Sequence, residues 1–335
     1  MGGSMTKQAP TRGRAGRRPV IRPAAAGSGG TQSALHAWRR RWPLLGALIG
    51  LVAVALAIAG FTLRSGGSSH NSATSLAVLH TPDYHSLAFS PADPNVVFFG
   101  HHNGVMRSDD GGQSFHPLVT RTNFDAMNMA VSPTNAQQVY LAGHNVFQVS
   151  SDGGASWHPM TTNLPGTDIH GFTMSPDDPS HLTAFVVGYG TFASADSGRT
   201  WQRLAGRVPS DVMSLTSAGG TPETLYAASM GSGILRSTDG GATFVPVAAT
   251  IGKLVYTLAV DPTSRTTVYA GVEGGLYKSM DGGTNWSKLP YPGANAAVVA
   301  VSRAQPNRLL AISVSDKGGV VARSDDGGVT WTTRP

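Results

Sequence analysis

One eight-residue pattern recurs six times along the second part of the chain, and it constrains the fold more than any other feature. The pattern is Ser-x-Asp-x-Gly-x-(Ser/Thr/Asn)-(Trp/Phe), and successive copies begin 42, 44, 43, 42 and 45 residues apart. The first residues of the copies are Ser108, Ser150, Ser194, Ser237, Ser279 and Ser324. Their aspartates are Asp110, Asp152, Asp196, Asp239, Asp281 and Asp326. A fixed period of this length indicates a repeat architecture, in which each copy is one supersecondary unit.

Each copy of the pattern follows the same series of short apolar runs. In the fifth repeat these runs are 258–260, 267–270 and 275–278, and turn residues separate them. Four short strands in each repeat, with turn signals at regular intervals, are typical of a β-propeller blade. We therefore predict an all-β, six-bladed propeller over residues 75–335, with seven blades as the alternative. Residues 75–80 resemble an isolated fourth strand, which would close the ring against the last blade beside its short run 331–334.

The repeated pattern resembles the Asp-box (BNR) repeat, and residues 75–335 resemble the propellers of the sialidase-like superfamily. That superfamily includes sialidases, glucanases, sortilin-type receptor ectodomains and photosystem II assembly factors, and many exported bacterial members are labelled glycosyl hydrolases. The resemblance implies the fold, but one fold can carry many activities. The six aspartates are expected to be structural, because an Asp side chain accepts backbone N–H groups within turns.

The first 65 residues are strongly basic, whereas the rest of the chain is mildly acidic. Residues 1–65 contain ten Lys+Arg and no Asp or Glu, and residues 66–335 contain fifteen Lys+Arg and nineteen Asp+Glu. A nucleic-acid binder needs a basic folded surface, so we expect no nucleic-acid partner. The chain has no cysteine, which excludes disulfides, thiolate metal ligands and a cysteine nucleophile.

Residues 42–63 carry no charge, and the 21 residues from Pro43 to Leu63 match the ~20 that span a bilayer as a helix. Three arginines precede this segment at 39–41, so the positive-inside rule predicts a cytoplasmic N-terminus. We expect a disordered basic tail (1–41), a transmembrane helix or uncleaved signal anchor (42–63), a linker (64–74) and an extracytoplasmic propeller on a bacterial cytoplasmic membrane. The alternative is secretion after cleavage near Ala59, which ends a small-residue cleavage pattern.

In a propeller, the loops between second and third strands lie on the same face as the entries to the first strands; we call this the loop face. Five of the eleven histidines are predicted to lie there, all in the first three blades: His85, His101, His102, His144 and His170. Two tyrosines are predicted on the same face: Tyr189 in a loop between second and third strands, and Tyr256 at the entry to a first strand. Because these positions converge around the central channel, we predict a ligand-binding face there. Neutral imidazole binds zinc or copper, so a metal site at His85, His144 and His170 is an alternative; otherwise we predict no cofactor.

Glycosidase activity is a second alternative, and it depends on two carboxyl groups that face each other at about 5–10 Å. The predicted propeller has only two glutamates, Glu223 and Glu273. Glu273 and Asp316 form the best available pair, since adjacent blades would place both on the loop face. They have no neighbouring arginines, and the Phe/Tyr-Arg-Ile-Pro signature of sialidases is absent from the predicted propeller. The sequence therefore favours a non-catalytic binding or assembly scaffold with a protein or glycan partner over a sialidase-like hydrolase.

Overall fold

The computed structural model of the chain describes residues 76–247, 251 and 254–332. This part of the chain consists of short β-strands arranged in six four-stranded sheets. The predicted basic tail, membrane segment and linker lie outside the described residues. Among the residues described, no helix is long and apolar enough to cross a membrane.

The strands follow one another around the ring in chain order, after one short strand that belongs to the last blade. The first strand, β1, spans Val78–Leu79. Blade 1 contains β2 (Ser86–Phe89), β3 (Val97–His101), β4 (Gly104–Ser108) and β5 (His116–Thr120). Blade 2 contains β6 (Asn128–Ser132), β7 (Asn135–Gly143), β8 (Val146–Ser150) and β9 (His158–Pro159). Blade 3 contains β10 (Ile169–Met174), β11 (Leu182–Val186), β12 (Gly190–Ser194) and β13 (Gln202–Arg203).

The second half of the ring repeats this order. Blade 4 contains β14 (Val212–Gly219), β15 (Thr224–Ser229), β16 (Gly233–Ser237) and β17 (Val245–Pro246). Blade 5 contains β18 (Val255–Asp261), β19 (Ser264–Val272), β20 (Gly275–Ser279) and β21 (Ser287–Lys288). Blade 6 contains β22 (Val298–Val301), β23 (Leu309–Ser315) and β24 (Gly318–Ser324), and β1 completes it. The predicted six-bladed all-β propeller is confirmed.

The second strand of each blade contributes many of the buried residues of the hydrophobic core. Every residue of β3 and of β11 is buried, because neighbouring blades cover both faces of these strands. This explains why the second strands are continuous apolar runs and lack the alternation of a half-exposed strand. The first strands line a central channel of about 260 Å³. Antiparallel order then places every loop between second and third strands on the loop face.

The ring is closed by β1, which pairs with β24 in blade 6. Val78 is opposite Val320 and Leu79 is opposite Gly319. The backbone N–H of Leu76 donates to the carbonyl of Val321 at 3.1 Å, which extends the pairing. The isolated fourth strand predicted from residues 75–80 therefore does join the last blade.

The six copies of the repeated pattern form the turns between third and fourth strands, on the face opposite the loop face. In the first copy, Asp110 Oδ1 accepts the backbone N–H groups of Gln113 and Ser114 at 2.8 and 2.9 Å. Ser108 Oγ donates to Asp110 and accepts the N–H of Gly112 at 2.8 Å. The bond to the aspartate from the backbone N–H four residues later recurs at all six copies. These bonds explain why the pattern keeps Ser, Asp and Gly at fixed spacing.

Cationic side chains on third strands connect neighbouring blades. Arg236 donates to the carbonyl of Gly282 in the next blade at 2.8 Å, and Lys278 donates to Gly327 at 3.4 Å. Arg323 in blade 6 donates to the carbonyl of Gly111 in blade 1 at 3.2 Å. The turns of the repeated pattern therefore also accept bonds that join one blade to the next, including across the closure.

Candidate functional site

Each of the first four blades is entered through an aspartate at an equivalent position: Asp83, Asp125, Asp168 and Asp211. Asp83 Oδ1 accepts the backbone N–H of His102 at 2.8 Å, and Asp125 Oδ2 accepts that of His144 at 3.3 Å. Asp211 Oδ2 similarly accepts the N–H of Gly231 at 2.6 Å. These aspartates connect the entry of a blade to its own loop between second and third strands, and they place carboxylates on the loop face.

These aspartates are absent from the sequence-based prediction, although a signal was present. They are spaced by 42, 43 and 43 residues, which is the period of the repeated pattern itself. The aspartate lies two residues before His85 in blade 1 and two before His170 in blade 3.

Four of the five histidines predicted on the loop face lie in one continuous set of contacts. Together with three aspartates they form what we call the histidine–aspartate cluster: His85, His102, His144, His170, Asp83, Asp125 and Asp168. The fifth, His101, is the last residue of β3, and its ring stacks on Phe99 with centroids 5.9 Å apart. Strand register makes His102 the equivalent of His144, because His101 and Gly143 both end second strands.

The first part of the cluster is centred on one ring nitrogen of His85. His85 Nε2 lies 2.9 Å from His102 Nδ1, 3.3 Å from Asp83 Oδ1 and 3.5 Å from Asp125 Oδ1. His102 Nδ1 also forms a short hydrogen bond with Asp83 Oδ2. One imidazole nitrogen and two carboxylate oxygens therefore lie within 3.5 Å of His85 Nε2 on the loop face.

The second part of the cluster continues from blade 2 to blade 3. His144 Nδ1 forms a short hydrogen bond with Asp125 Oδ2, and the His144 ring stacks on that of His102 with centroids 5.7 Å apart. The edge of the His144 ring meets His170 at a centroid distance of 4.8 Å. His170 Nε2 lies 3.2 Å from Asp168 Oδ1. Asp125 is shared by the two parts, since its two oxygens face different histidines.

Three polar atoms of the cluster are buried without a hydrogen-bond partner among the described residues. They are Asp125 Oδ1, together with Asp168 Oδ1 and His170 Nε2, which lie 3.2 Å apart without hydrogen-bond geometry. Asp125 is the most enclosed of these residues, with 2% of its surface exposed. An unpaired buried polar atom is costly, and more so when it is charged. The cluster is therefore suited to accept a cation or a hydrogen-bond donor from outside the chain.

Burial and pairing move the pKa values of the cluster in opposite directions. Burial lowers the pKa of His85 below 6.5, although the charges of Asp83 and Asp125 oppose this effect. The hydrogen bond with Asp83 raises the pKa of His102, against the effect of its burial. Burial would raise the pKa values of Asp83 and Asp125, but contacts with histidines outweigh it and lower both. At neutral pH the two carboxylates are therefore ionised and the His85 ring is neutral.

The other residues predicted for the site lie apart from these contacts. Tyr189 is on an exposed loop of blade 3, and Tyr256 lines the central channel. Glu273 and Asp316 are both exposed, in the loops between second and third strands of blades 5 and 6. Within the described part of the chain, neither of their side chains makes a hydrogen bond or an ion pair. The two carboxyl groups therefore have similar, solvent-exposed surroundings in the structure.

The fold and the cluster define the chain as a six-bladed β-propeller with imidazole and carboxylate groups gathered on its loop face. No protein-family model matches the chain. Among curated proteins, a xyloglucanase of Acetivibrio thermocellus is 30% identical over a segment that covers 23% of this chain and 12% of that protein.

Two solved structures are similar in fold. The GH74 xyloglucanase from Xanthomonas campestris has a TM-score of 0.56 and 20% identity, and the match covers 77% of this chain and 46% of that one. YCF48 from Cyanidioschyzon merolae has a TM-score of 0.50 and 19% identity, with 76% of this chain and 86% of that one covered. The chain thus spans about an eighth of the curated relative and less than half of the solved xyloglucanase. These likenesses show the propeller fold, and membership of the Asp-box family stays a prediction.

Proposed function

We propose that this chain is a non-catalytic binding propeller that is held outside the cytoplasmic membrane by residues 42–63 and binds its partner through the loop face. The observation that carries the proposal is the histidine–aspartate cluster, in which seven polar side chains from three blades meet on that face. The membrane part of the proposal rests on the uncharged segment and on the arginines before it.

The architecture supports binding because hydrogen bonds connect the side chains of the cluster to the backbone of the adjacent loops. Its carboxylates accept backbone N–H groups of the loops beside them, so side chains and loops are positioned together. Loops on a rigid scaffold are the usual location of recognition residues. A binding surface of this kind needs no chemical step, and a protein or glycan partner would meet both charged and aromatic groups there.

Hydrolysis is the competing function, because solved xyloglucanases share the fold. A glycosidase needs one carboxyl held as an acid and a second placed opposite it. Glu273 and Asp316 are exposed and make no polar side-chain contacts with the described residues, so the arrangement gives neither carboxyl a distinct role. This contrast with the cluster is why we propose binding.

A photo-crosslinking experiment tests the location of binding. A photoreactive amino acid is placed at Tyr189 on the loop face or at Met280 in a turn on the opposite face, in the full chain expressed in its membrane. Both side chains are exposed, by 49% and 73%, so they make a matched pair. We expect a discrete crosslinked product from position 189 only. Crosslinking from position 280 alone, or equally from both, contradicts the proposal.

A second measurement tests the absence of catalysis. The full chain is incubated with xyloglucan and with an aryl glycoside, and we expect no turnover. Hydrolysis that is lost in Glu273→Gln or Asp316→Asn, but retained in Glu223→Gln, would replace the proposed function with a glycosidase. Glu223 is a suitable control because it precedes β15 on the opposite face, where it accepts the hydroxyl of Ser217 at 2.5 Å.

A further inference from the structure

We infer that the first part of the histidine–aspartate cluster is a binding site for one divalent transition-metal ion, with Asp83, His85 and His102 as its ligands and Asp125 as the carboxylate beside them. The inference rests on the proposed function, since it identifies a ligand of the same face. Its class is zinc or copper, for which imidazole and carboxylate groups are suitable ligands.

The spacing of the donor atoms supports an ion. Zinc–nitrogen and zinc–oxygen distances near 2.0–2.1 Å in a tetrahedron separate neighbouring ligand atoms by about 3.3 Å. From His85 Nε2, the distances to His102 Nδ1, Asp83 Oδ1 and Asp125 Oδ1 are 2.9, 3.3 and 3.5 Å. A single proton can bridge only two of these atoms, whereas one metal ion can bind Asp83, His85 and His102, whose donor atoms all lie within 4.8 Å of one another.

The unpaired oxygen of Asp125 is the second, independent observation. Asp125 Oδ1 is buried, has no hydrogen-bond partner among the described residues, and faces His85. A metal ion bound to His85 Nε2 would place positive charge beside this oxygen. The other atoms of the group have partners already, because the Asp83 oxygens accept bonds from His102.

The surroundings are those expected of a metal site. The second oxygen of Asp125 forms a hydrogen bond with His144 Nδ1, which fixes the orientation of the carboxylate. Hydrogen-bonded groups around the ligands of a metal typically contribute 10–100-fold to its affinity. The side chain of His102 is 36% exposed while that of His85 is 15% exposed, so the site is enclosed yet open to solvent on one side. His144 is therefore a positioning residue.

The donor set also limits the class of ion. Calcium and magnesium prefer six or more oxygen ligands, whereas this group offers two nitrogens and one carboxylate. The general affinity order of nitrogen and oxygen sites places copper(II) above zinc. We therefore expect both ions to bind, copper(II) more tightly, and calcium and magnesium not to compete.

The test uses the full chain, purified in detergent without a histidine tag and stripped with a chelator. Zinc and copper(II) are titrated by calorimetry, and bound metal is counted after gel filtration. We expect one tightly held equivalent, and at a free metal concentration 100 times Kd the melting temperature should rise by about 5–10 °C. Copper(II) should show an electron paramagnetic resonance spectrum with two equatorial nitrogens.

Variants then locate the ion. We expect His85→Ala to weaken binding at least 100-fold, and the nearly isosteric Asp125→Asn and His144→Ala each to weaken it 10–100-fold. Removal of the exposed histidines of β5 and β9, in His116→Ala and His158→Ala, should leave it unchanged. Circular dichroism checks that each variant is folded, and Asp125→Asn keeps the test usable if His85→Ala does not fold.

Several results would overturn the site. These are no metal retained by the wild-type chain, binding unchanged in both His85→Ala and Asp125→Asn, binding lost only in His170→Ala, and equal binding of calcium. The proposed function is tested separately by crosslinking. If the chain crosslinks from position 189 but holds no metal, only the metal site is refuted. If the chain holds metal, does not crosslink from position 189 and hydrolyses glycosides, only the proposed function is refuted.

Discussion

The closure of the ring can be tested at two adjacent residues of β1. Leu79 is 4% exposed and packs in a cluster with Leu310, Ile312 and Val321, whereas Val78 beside it is 42% exposed. Truncation of a buried leucine removes its transfer free energy and leaves a cavity, which together typically cost 2–5 kcal/mol. We therefore expect Leu79→Ala to lower the free energy of unfolding by about 3 kcal/mol. Val78→Ala should change it by less than about 0.5 kcal/mol.

For a propeller of this size, 3 kcal/mol corresponds to a fall in melting temperature of about 6–12 °C. The assay is thermal unfolding of the full chain in detergent, followed by tryptophan fluorescence, with the two variants measured in parallel. Trp331 follows β24 of blade 6, and its ring lies 5.0 Å from that of Tyr291 in the connection between blades 5 and 6, so it reports on this part of the ring. If Val78→Ala destabilised the protein as much as Leu79→Ala, the strand would not be paired in the register described.

Two further predictions concern the turns of the repeated pattern. Hydrogen bonds from residues four positions later lower the pKa of five of the six aspartates from 3.8 to about 2: Asp152, Asp196, Asp239, Asp281 and Asp326. Because these pKa values are lower in the folded state, the ionised aspartates stabilise the fold fully above pH 4, and this stabilisation is lost as the pH falls towards 2. A melting temperature that did not fall between pH 4 and pH 2 would contradict this prediction. Gly241→Ala should destabilise the protein more than Gly240→Ala in chemical denaturation, and equal effects would argue against the described packing. Both glycines have positive φ, of 86° and 69°, but only at Gly241 would an added Cβ lie 2.5 Å from Leu204.

The propeller could be predicted from the sequence because its information is local and repeated. Each copy of the pattern makes a turn whose bonds lie within six residues, and six copies at one period leave a ring of six blades as the natural arrangement. Closure by residues 75–80 could be predicted for the same reason. These residues resemble a fourth strand but precede the first blade, and the last blade has only a short run in the position of its fourth strand. The basic tail and the membrane segment stay predictions, as they lie outside the described residues.

The histidine–aspartate cluster could be predicted only in part. Equivalent repeat positions indicated that His85 and His170 share one face, and the structure brings both into the cluster together with His102 and His144. The orientation of a ring nitrogen depends on packing across blades, and the sequence does not show it: His101 stacks on Phe99 while its neighbour His102 joins the cluster. The aspartates were missed because their partners lie 19 residues away, in another loop of the same blade.

The composite last blade has a consequence for the order in which the molecule can be completed during synthesis. Val78 must find Val320, a partner made 242 residues later, so the ring cannot be sealed until nearly the whole propeller has been made. Until then the edge of β1 and the edge of β24 remain open to pairing with other chains. A polypeptide that stops short of β24 would therefore keep an open edge, so that full-length synthesis is itself a condition for a soluble, aggregation-resistant product.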